Sequence, residues 1–479
     1  MVGTIEIQRH YLTDSWREAE KTFLLYNPAT GQSIAEVANC GVEEAKEAAE
    51  VATDAFDVWK RTTAYERAAI LERWYNLILE HMGDLARTMS TEMGKPISEA
   101  KGEVSYAAGF VKWYAEESKR IYGETIPSHS EDRRMLTVKQ PVGPVFAITP
   151  WNFPAAMITR KAAPALAAGC TIILKPAEQT PLSALHLATL WQEAGGPKGT
   201  LQVLPTADPG PLSEVLLDDP RIRKLTFTGS TEIGKLLYAK AAKTVKRVSL
   251  ELGGHAPYLL FEDADIEQAV QEVLACKFRN AGQTCVCTNR IYVQRGILDE
   301  FTERFTEEVR KMVIGDPLVE ATQIGPLVNK QGLDKVQAHV QDALDKGAKV
   351  VTGGNALGGL YFEPTVLSSV TSEMLLMREE TFGPVAPILS FDHEEEAIRM
   401  ANDVPYGLAA YIYTNDLRRA FKVSEALEYG IVGVNDGLPS SPQAPFGGVK
   451  DSGIGREGGK WGIEEYLEVK YVSMKLAQR

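Results

Sequence analysis

The sequence predicts an α/β protein built from two parallel-sheet units, and three observations point there. Its 479 residues exceed what one hydrophobic core organises, so at least two domains are expected. From residue 138 short apolar runs alternate with helical patterns, the rhythm of βαβ units around a parallel sheet. The series then restarts after Gly253-Gly254, which puts the join between the units near residue 253.

Taken in order, the first third is helical after a strand-like start. Ala45, Ala48, Ala49, Ala52 and Phe56 recur at helical spacing and predict a helix over 42–59. A second helix, 65–93, stops at Gly94-Lys95-Pro96, where glycine and proline both discourage continuation. A third, 98–118, carries Tyr106, Phe110, Val111 and Tyr114. The first series then reads strand 171–174, helix 181–194, strands 201–204 and 224–227, helix 231–242 and strand 248–250. The second reads strand 291–293, helices 298–312 and 332–344, and strands 385–391, 408–413 and 431–434. No internal repeat, low-complexity tract or long flexible linker interrupts it. This is a dinucleotide-binding type of architecture, although spacing alone names no ligand.

Composition removes several classes. Apolar residues at 44% and charged residues at 24% are ordinary for a globular chain and exclude general disorder. A formal charge of −13 argues against nucleic acid as the main partner. It leaves room for a local basic pocket. Five cysteines are too sparse and too odd a count for a disulfide scaffold. The opening residues lack the apolar core of a signal peptide. The most apolar stretch, 162–174, is shorter than a membrane span and broken by Pro164 and Gly169. The expectation is a soluble protein of a reducing cytoplasm, without membrane or nucleic-acid partners.

Four segments could carry chemistry. Gly453-Ile-Gly455-Arg-Glu-Gly458 fits the GxGxxG pattern but follows no predicted strand and lies far along the second unit, so it reads as a loop. Phe227-Thr-Gly229-Ser230 closes a predicted strand and opens a helix, whose N-terminus could meet a phosphate or simply turn. Phe278-Arg-Asn-Ala-Gly-Gln-Thr-Cys285 presents a thiol among glycine and small polar residues, as a reactive loop cysteine requires. Cys40, Cys170 and Cys276 read as inert buried thiols. Cys287 lies two positions on, but no His or Cys cluster completes a metal shell, and no metal is expected. Glu251, between Leu250 and Leu252 at a strand end, could be a base of raised pKa or half of a salt bridge.

Six motifs then occur in order: PWNFP (150–154), KPAEQTP (175–181), FTGS (227–230), ELGG (251–254), FRNAGQTC (278–285) and EETFGP (379–384). Together they resemble the aldehyde dehydrogenase superfamily over nearly the whole chain, and most closely its succinate-semialdehyde dehydrogenases. The resemblance implies a Rossmann-type parallel-sheet cofactor domain (1–122 and 142–253), an α/β catalytic domain (254–465), and a small β oligomerisation extension (123–141 and 466–479). In that extension Leu467, Val469, Tyr471 and Ser473 share a face. A homodimer or homotetramer is implied.

The resemblance also assigns roles. Cys285 would be the nucleophile, because an aldehyde carbon gives up hydride readily only as a tetrahedral thiohemiacetal. A free thiol is only about 3% thiolate at neutral pH, so it needs activation. Glu251 would activate the water that hydrolyses the thioester, favouring acid over acyl transfer to coenzyme A. Asn152 would stabilise the oxyanion with the backbone N–H of Cys285, and Asn280 would support the loop. Lys175 and Glu178 would hold the adenosine ribose. A carboxylate there repels a 2′-phosphate, so NAD is preferred and NADP possible. Gly229 and Ser230 would meet the pyrophosphate. Glu380 and Phe382 would meet the nicotinamide ribose and ring, and Trp151 and Leu252 would line the same cleft.

Arg160, Arg279 and Ser440 match a carboxylate-binding set, which suits a short aldehyde with a distal anion. Glutarate semialdehyde or a sulfonate such as 3-sulfolactaldehyde would fit equally, and either arginine could instead form an ion pair. Two prolines in Leu438-Pro-Ser-Ser-Pro442 depart from the usual pocket loop. The Cys285–Cys287 pair raises oxidative inactivation as a further expectation. The rival class is a non-catalytic binding or structural module on the same fold.

Overall fold

The computed structural model describes residues 10–476. The amino-terminal stretch read as lacking a leader falls mostly outside them, as do the last three residues of the 466–479 segment. Among the described residues, no helix is long and apolar enough to cross a membrane.

An eight-stranded sheet forms the first layer. Its middle five strands are parallel, in the order Leu201–Val203, Ile172–Lys175, Val145–Ile148, Lys224–Thr228 and Arg247–Glu251. The register brings Lys175 beside Ile148, Ile148 beside Phe227, and Thr228 beside Glu251. Their carboxyl ends therefore form one rim, where open α/β sheets bind ligands. Antiparallel strands close both edges, His10–Leu12 with Trp16–Glu18 on one side and Gly453–Ile454 on the other. The GxGxxG-like segment is thus more than a loop. It leaves the second series, pairs Gly453 with Glu251, and runs into a six-residue helix, Gly459–Glu464.

The second sheet has seven strands, ordered Lys349–Thr352, Thr365–Ser368, Val385–Phe391, Thr288–Gln294, Ala256–Leu260, Ala409–Tyr413 and Ile431–Val434. All pairs but the first are parallel. The segments holding Cys285 and Glu380 precede the Thr288–Gln294 and Val385–Phe391 strands. They emerge from the amino ends of this sheet and meet the carboxyl rim of the first.

Most helices fall where periodicity predicts them, Val42–Trp59 and Thr231–Ala242 with the same bounds. The helix expected over 65–93 is two, Ala64–Glu80 and Met82–Met93, broken at His81. Pro154–Ala168 escaped prediction for a physical reason. All its residues are buried, so no polar face marks a period, and Pro164 sits inside it. It packs within the main core, which also holds Trp59, Trp74 and Trp191. Edge-on ring contacts of 6.3 and 5.3 Å join the last of these to the other two.

A separate three-stranded antiparallel sheet pairs Leu467–Lys475 with Arg133–Pro141 over nine residues and adds Thr125–Ile126. Leu467 packs into the core, whereas Val469 and Tyr471 on the same face are exposed.

Candidate active site

Asn152 lies between the Val145–Ile148 strand and the Pro154–Ala168 helix and is almost fully buried. Its backbone carbonyl accepts from Lys95 Nζ at 2.8 Å and from Asn280 Nδ2 at 3.2 Å. Its own Nδ2 donates to the Gln283 carbonyl at 3.1 Å, which leaves one amide hydrogen for another acceptor. Lys95 forms a buried ion pair with Glu103. The other Glu103 oxygen accepts from the N–H groups of Ala155 and Ala156, at 2.9 and 3.2 Å, capping the helix that follows Asn152.

The cysteine loop is wound tightly. Asn280, Ala281 and Gly282 all take left-handed φ, 53°, 54° and 73°. For alanine that conformation costs about 1–2 kcal/mol, so the surroundings must impose it. Gln283 donates to the Asn280 carbonyl through both its N–H and its Nε2, at 3.1 and 3.0 Å. Glu99 Oε2 accepts the Asn280 N–H at 2.7 Å. At Gly282 a side chain would also meet the Gly383 carbonyl at 2.2 Å. A similar close approach occurs at Gly254, where a Cβ would stand 2.4 Å from the Cys285 carbonyl.

Cys285 is the partly exposed cysteine at the end of this loop and opens onto two cavities, of about 320 and 280 Å³. Burial pushes its thiol up to about 12, against the pull of the Arg160 charge. The thiol is therefore protonated at rest, and a base must take its proton for it to attack. Cys287 faces elsewhere. It is fully buried, accepts from Lys277 Nζ at 3.4 Å and donates to the Lys277 carbonyl at 3.3 Å. All five cysteines are unbridged.

Glu251 ends the Arg247–Glu251 strand, and its Oε2 is buried without a hydrogen-bond partner among the described residues. Burial first, and the Glu457 charge second, hold its carboxyl well above the usual carboxylate range. Glu457 is held in turn by the buried cations of Lys161 and Arg160, the latter at 2.8 Å. Although burial works the other way, these cations keep Glu457 ionised. A carboxyl of raised pKa beside a permanently charged one is suited to exchanging a proton with water.

One cavity is lined by Trp151, Asn152, Gly229, Ser230, Leu252, Cys285, Glu380 and Phe382, among others. Trp151 and Phe382 meet edge to face at 5.5 Å. Glu380 Oε1 accepts the Gly254 N–H at 3.1 Å, and burial raises its carboxyl to about 7. Ser230 caps the Thr231–Ala242 helix by accepting from Ile233 N. The N–H groups of Thr231 and Glu232 have no intrahelical partner and suit a pyrophosphate. With two aromatic rings beside the thiol, the lining fits a dinucleotide. Lys175 and Glu178 lie outside this lining, at the next strand end, paired at 3.5 Å. Burial lowers the Lys175 pKa and Glu178 partly restores it.

The other cavity is lined by Arg160, Arg279, Ser440 and Cys285 together with Lys95, Glu99, Glu103, Tyr106, Phe153 and Phe446. Arg160 is buried rather than a surface cation. It pairs with Glu457 and lies 3.8 Å from the Phe446 ring centroid, while its Nη2 has no hydrogen-bond partner among the described residues. Arg279 is half-buried, stands 5.2 Å from the Phe153 ring centroid, and has an Nε without a hydrogen-bond partner among the described residues. Sequence reasoning missed Lys95, Glu99, Glu103, Lys161 and Glu457. Only GKP in 94–96 offered a signal, and it read as a helix stop.

One thiol opens onto both an aromatic-lined cleft that suits a dinucleotide and a cation-lined pocket, and the charge of the buried Glu251 acts on it. That arrangement is suited to an oxidoreductase that bonds its substrate covalently. The Aldehyde dehydrogenase family profile matches residues 16–472. The chain belongs to that family. It is 53% identical to the succinate-semialdehyde dehydrogenase [NADP(+)] of Escherichia coli (strain K12), covering 98% of each chain. It is equally identical to the glutarate-semialdehyde dehydrogenase of Pseudomonas putida, again covering 98% of each. The crystal structure of an E. coli NADP-dependent enzyme superposes with a TM-score of 0.98 at 52% identity, covering 99% of this chain and 100% of that one.

Proposed function

We propose that the protein oxidises a short aldehyde with a distal anion, succinate semialdehyde first, to the carboxylic acid with a nicotinamide dinucleotide. The observation that carries this is the cavity in which Arg160, Arg279 and Ser440 share walls with Cys285. An anion held there lets a short carbon chain bring its aldehyde to the thiol.

In this reading Cys285 loses its proton to a base and attacks the carbonyl carbon. The developing oxyanion takes the remaining Asn152 amide hydrogen and the backbone N–H of Cys285. The dinucleotide supplies a hydride acceptor. Trp151 and Phe382 would hold its ring, Glu380 the adjoining ribose, and Gly229 and Ser230 the pyrophosphate. Leu252 completes the wall. Loss of hydride from the tetrahedral carbon leaves a thioester on Cys285. Glu251 then takes a proton from water, whose hydroxide adds to the thioester carbon and expels the Cys285 thiolate, releasing the acid. Arg160 and Glu457 keep their charges throughout, so the Glu251 proton is the mobile one.

Lys175 and Glu178 would meet the adenosine ribose, and the Glu178 carboxylate favours NAD over NADP by repelling a 2′-phosphate. That the E. coli relative is named for NADP(+) makes this choice one to measure. A longer semialdehyde or a sulfonated aldehyde suits the same cations. The exposed Val469 and Tyr471 on the edge sheet suit pairing between copies of the chain, as a dimer or tetramer.

The test is a kcat/KM panel of succinate semialdehyde, glutarate semialdehyde, 3-sulfolactaldehyde and acetaldehyde with each dinucleotide, read by reduced-nicotinamide absorbance. Acetaldehyde matching the anionic substrates would overturn the anion reading. No absorbance change with any of them would favour a non-catalytic module.

A further inference from the structure

The anion pocket contains a carboxylate that a pocket for anions does not need. Glu99 sits on the Ile97–Glu117 helix and lines the same cavity as Arg279, Arg160 and Cys285. Its Oε2 accepts the N–H of Asn280, the residue after Arg279, at 2.7 Å. Glu99 is thereby fixed against the segment that carries the guanidinium.

The other charges around it are largely cancelled. Lys95, from the turn before the helix, is paired with Glu103 from the same helix. Arg160, from the Pro154–Ala168 helix, is paired with Glu457. Tyr106 and Cys285 also face the cavity, and burial raises both above their ordinary values. Among the described residues Arg279 has no ion pair and its Nε no hydrogen-bond partner, while its charge acts directly on the Glu99 carboxyl.

We propose that Glu99 is a specificity-determining residue that sets the pocket's charge: neutral, it leaves Arg279 to the substrate's distal anion, and ionised, it opposes that anion. The inference rests on the anionic-aldehyde reading above. Burial raises the Glu99 carboxyl to about 7, with Lys95, the Asn280 N–H and Arg279 pulling the other way. The sign follows. Below that pH Glu99 is neutral and the pocket favours an anion; above it a second negative charge enters the cavity and selectivity for the anionic aldehyde falls. By reciprocity, an anion bound at Arg279 favours the protonated form of Glu99.

The experiment measures kcat/KM for succinate semialdehyde and for uncharged butyraldehyde from pH 6 to 8.5 and takes their ratio, in which titration of Cys285 and Glu251 cancels. The ratio for the wild-type protein should fall about three- to tenfold over that range. Glu99→Gln keeps an acceptor for the Asn280 N–H, and its ratio should stay high and flat. A flat wild-type ratio, which requires no variant to fold, overturns the proposal. So does a Glu99→Gln ratio that falls as the wild type does. Arg279→Ala separates the two levels. If it leaves the ratio unchanged at every pH, the anion pocket itself is misassigned; if it lowers the ratio while Glu99→Gln keeps the slope, only the role of Glu99 fails.

Discussion

The ammonium of Lys95 donates to the backbone carbonyl of Asn152 at 2.8 Å while forming a buried ion pair with Glu103. Glu103 in turn caps the helix that starts two residues beyond Asn152. The backbone that carries the Asn152 side chain is thus held by two charges from a different part of the chain, while the amide itself is aimed by the Gln283 carbonyl. Replacing Lys95 by methionine removes a donor and strands Glu103 in the core. Breaking one side of a buried pair costs about 3–5 kcal/mol, so Lys95→Met should lower the urea midpoint sharply. Adding Glu103→Gln, which removes the stranded charge but keeps an acceptor, should restore part of the loss. A double variant no more stable than the single one would show that the pair is not what was lost.

This pair also marks where sequence reading ended. Strands and amphipathic helices were legible because their apolar residues repeat with the element's period, as Ala45, Ala48, Ala49 and Ala52 do. The Pro154–Ala168 helix, buried on every side, had no such contrast. The break at His81 is flanked only by Gly83, which falls inside the first turn of the second helix rather than at the break. In the site, Cys285, Glu251 and Asn152 were legible as motifs, since each sits in a short stretch of distinctive chemistry. Lys95, Glu99, Glu103 and Glu457 were not. Each acts through a partner brought near only by folding, as Glu99 does with Asn280, 181 residues away. Arg160 read either as a cation of the substrate pocket or as half of an ion pair, and its buried pairing with Glu457 needs the return of residues 453–458 to the first sheet.

Glu251 should impose a rising limb on the pH profile. Its carboxyl is held well above the ordinary range by burial and by Glu457, so it is protonated at the low end and cannot accept a proton from water. As pH rises it ionises and thioester hydrolysis accelerates. Glu251→Gln should remove that limb and slow hydrolysis by about 10²–10⁴, while the first hydride transfer survives. Rapid-quench mass spectrometry should then find an acyl group on Cys285. Steady turnover with an unchanged pH profile would refute the role.

Glu178 offers a separate handle on the cofactor. It is exposed and touches Lys175 at 3.5 Å, so its replacement should not disturb folding. Glu178→Ser removes a charge that opposes a 2′-phosphate. Two like charges near 4 Å cost roughly 1–4 kcal/mol between water and intermediate dielectric. The ratio of kcat/KM for NADP to that for NAD should therefore rise about tenfold or more, with the aldehyde KM little changed. An unchanged ratio would remove Glu178 from the cofactor site.

Arg160 and Arg279 line one cavity, yet their removal should have different consequences. Arg279 is half-buried, with an Nε that has no hydrogen-bond partner among the described residues. Arg279→Ala should therefore raise KM for succinate semialdehyde with little loss of stability. Arg160 is buried against Glu457 at 2.8 Å. Its loss leaves Lys161 as the remaining cation on a buried carboxylate and places Glu457 in competition with Glu251 for a proton. Arg160→Ala should thus cost about 3–5 kcal/mol of stability and lower kcat for charged and uncharged aldehydes alike, beyond any effect on KM. Thermal unfolding and paired kinetics on the two variants check this. If Arg160→Ala affects only the KM of the anionic substrate and leaves stability intact, then Glu457 is held by Lys161 alone and Arg160 serves the substrate just as Arg279 does.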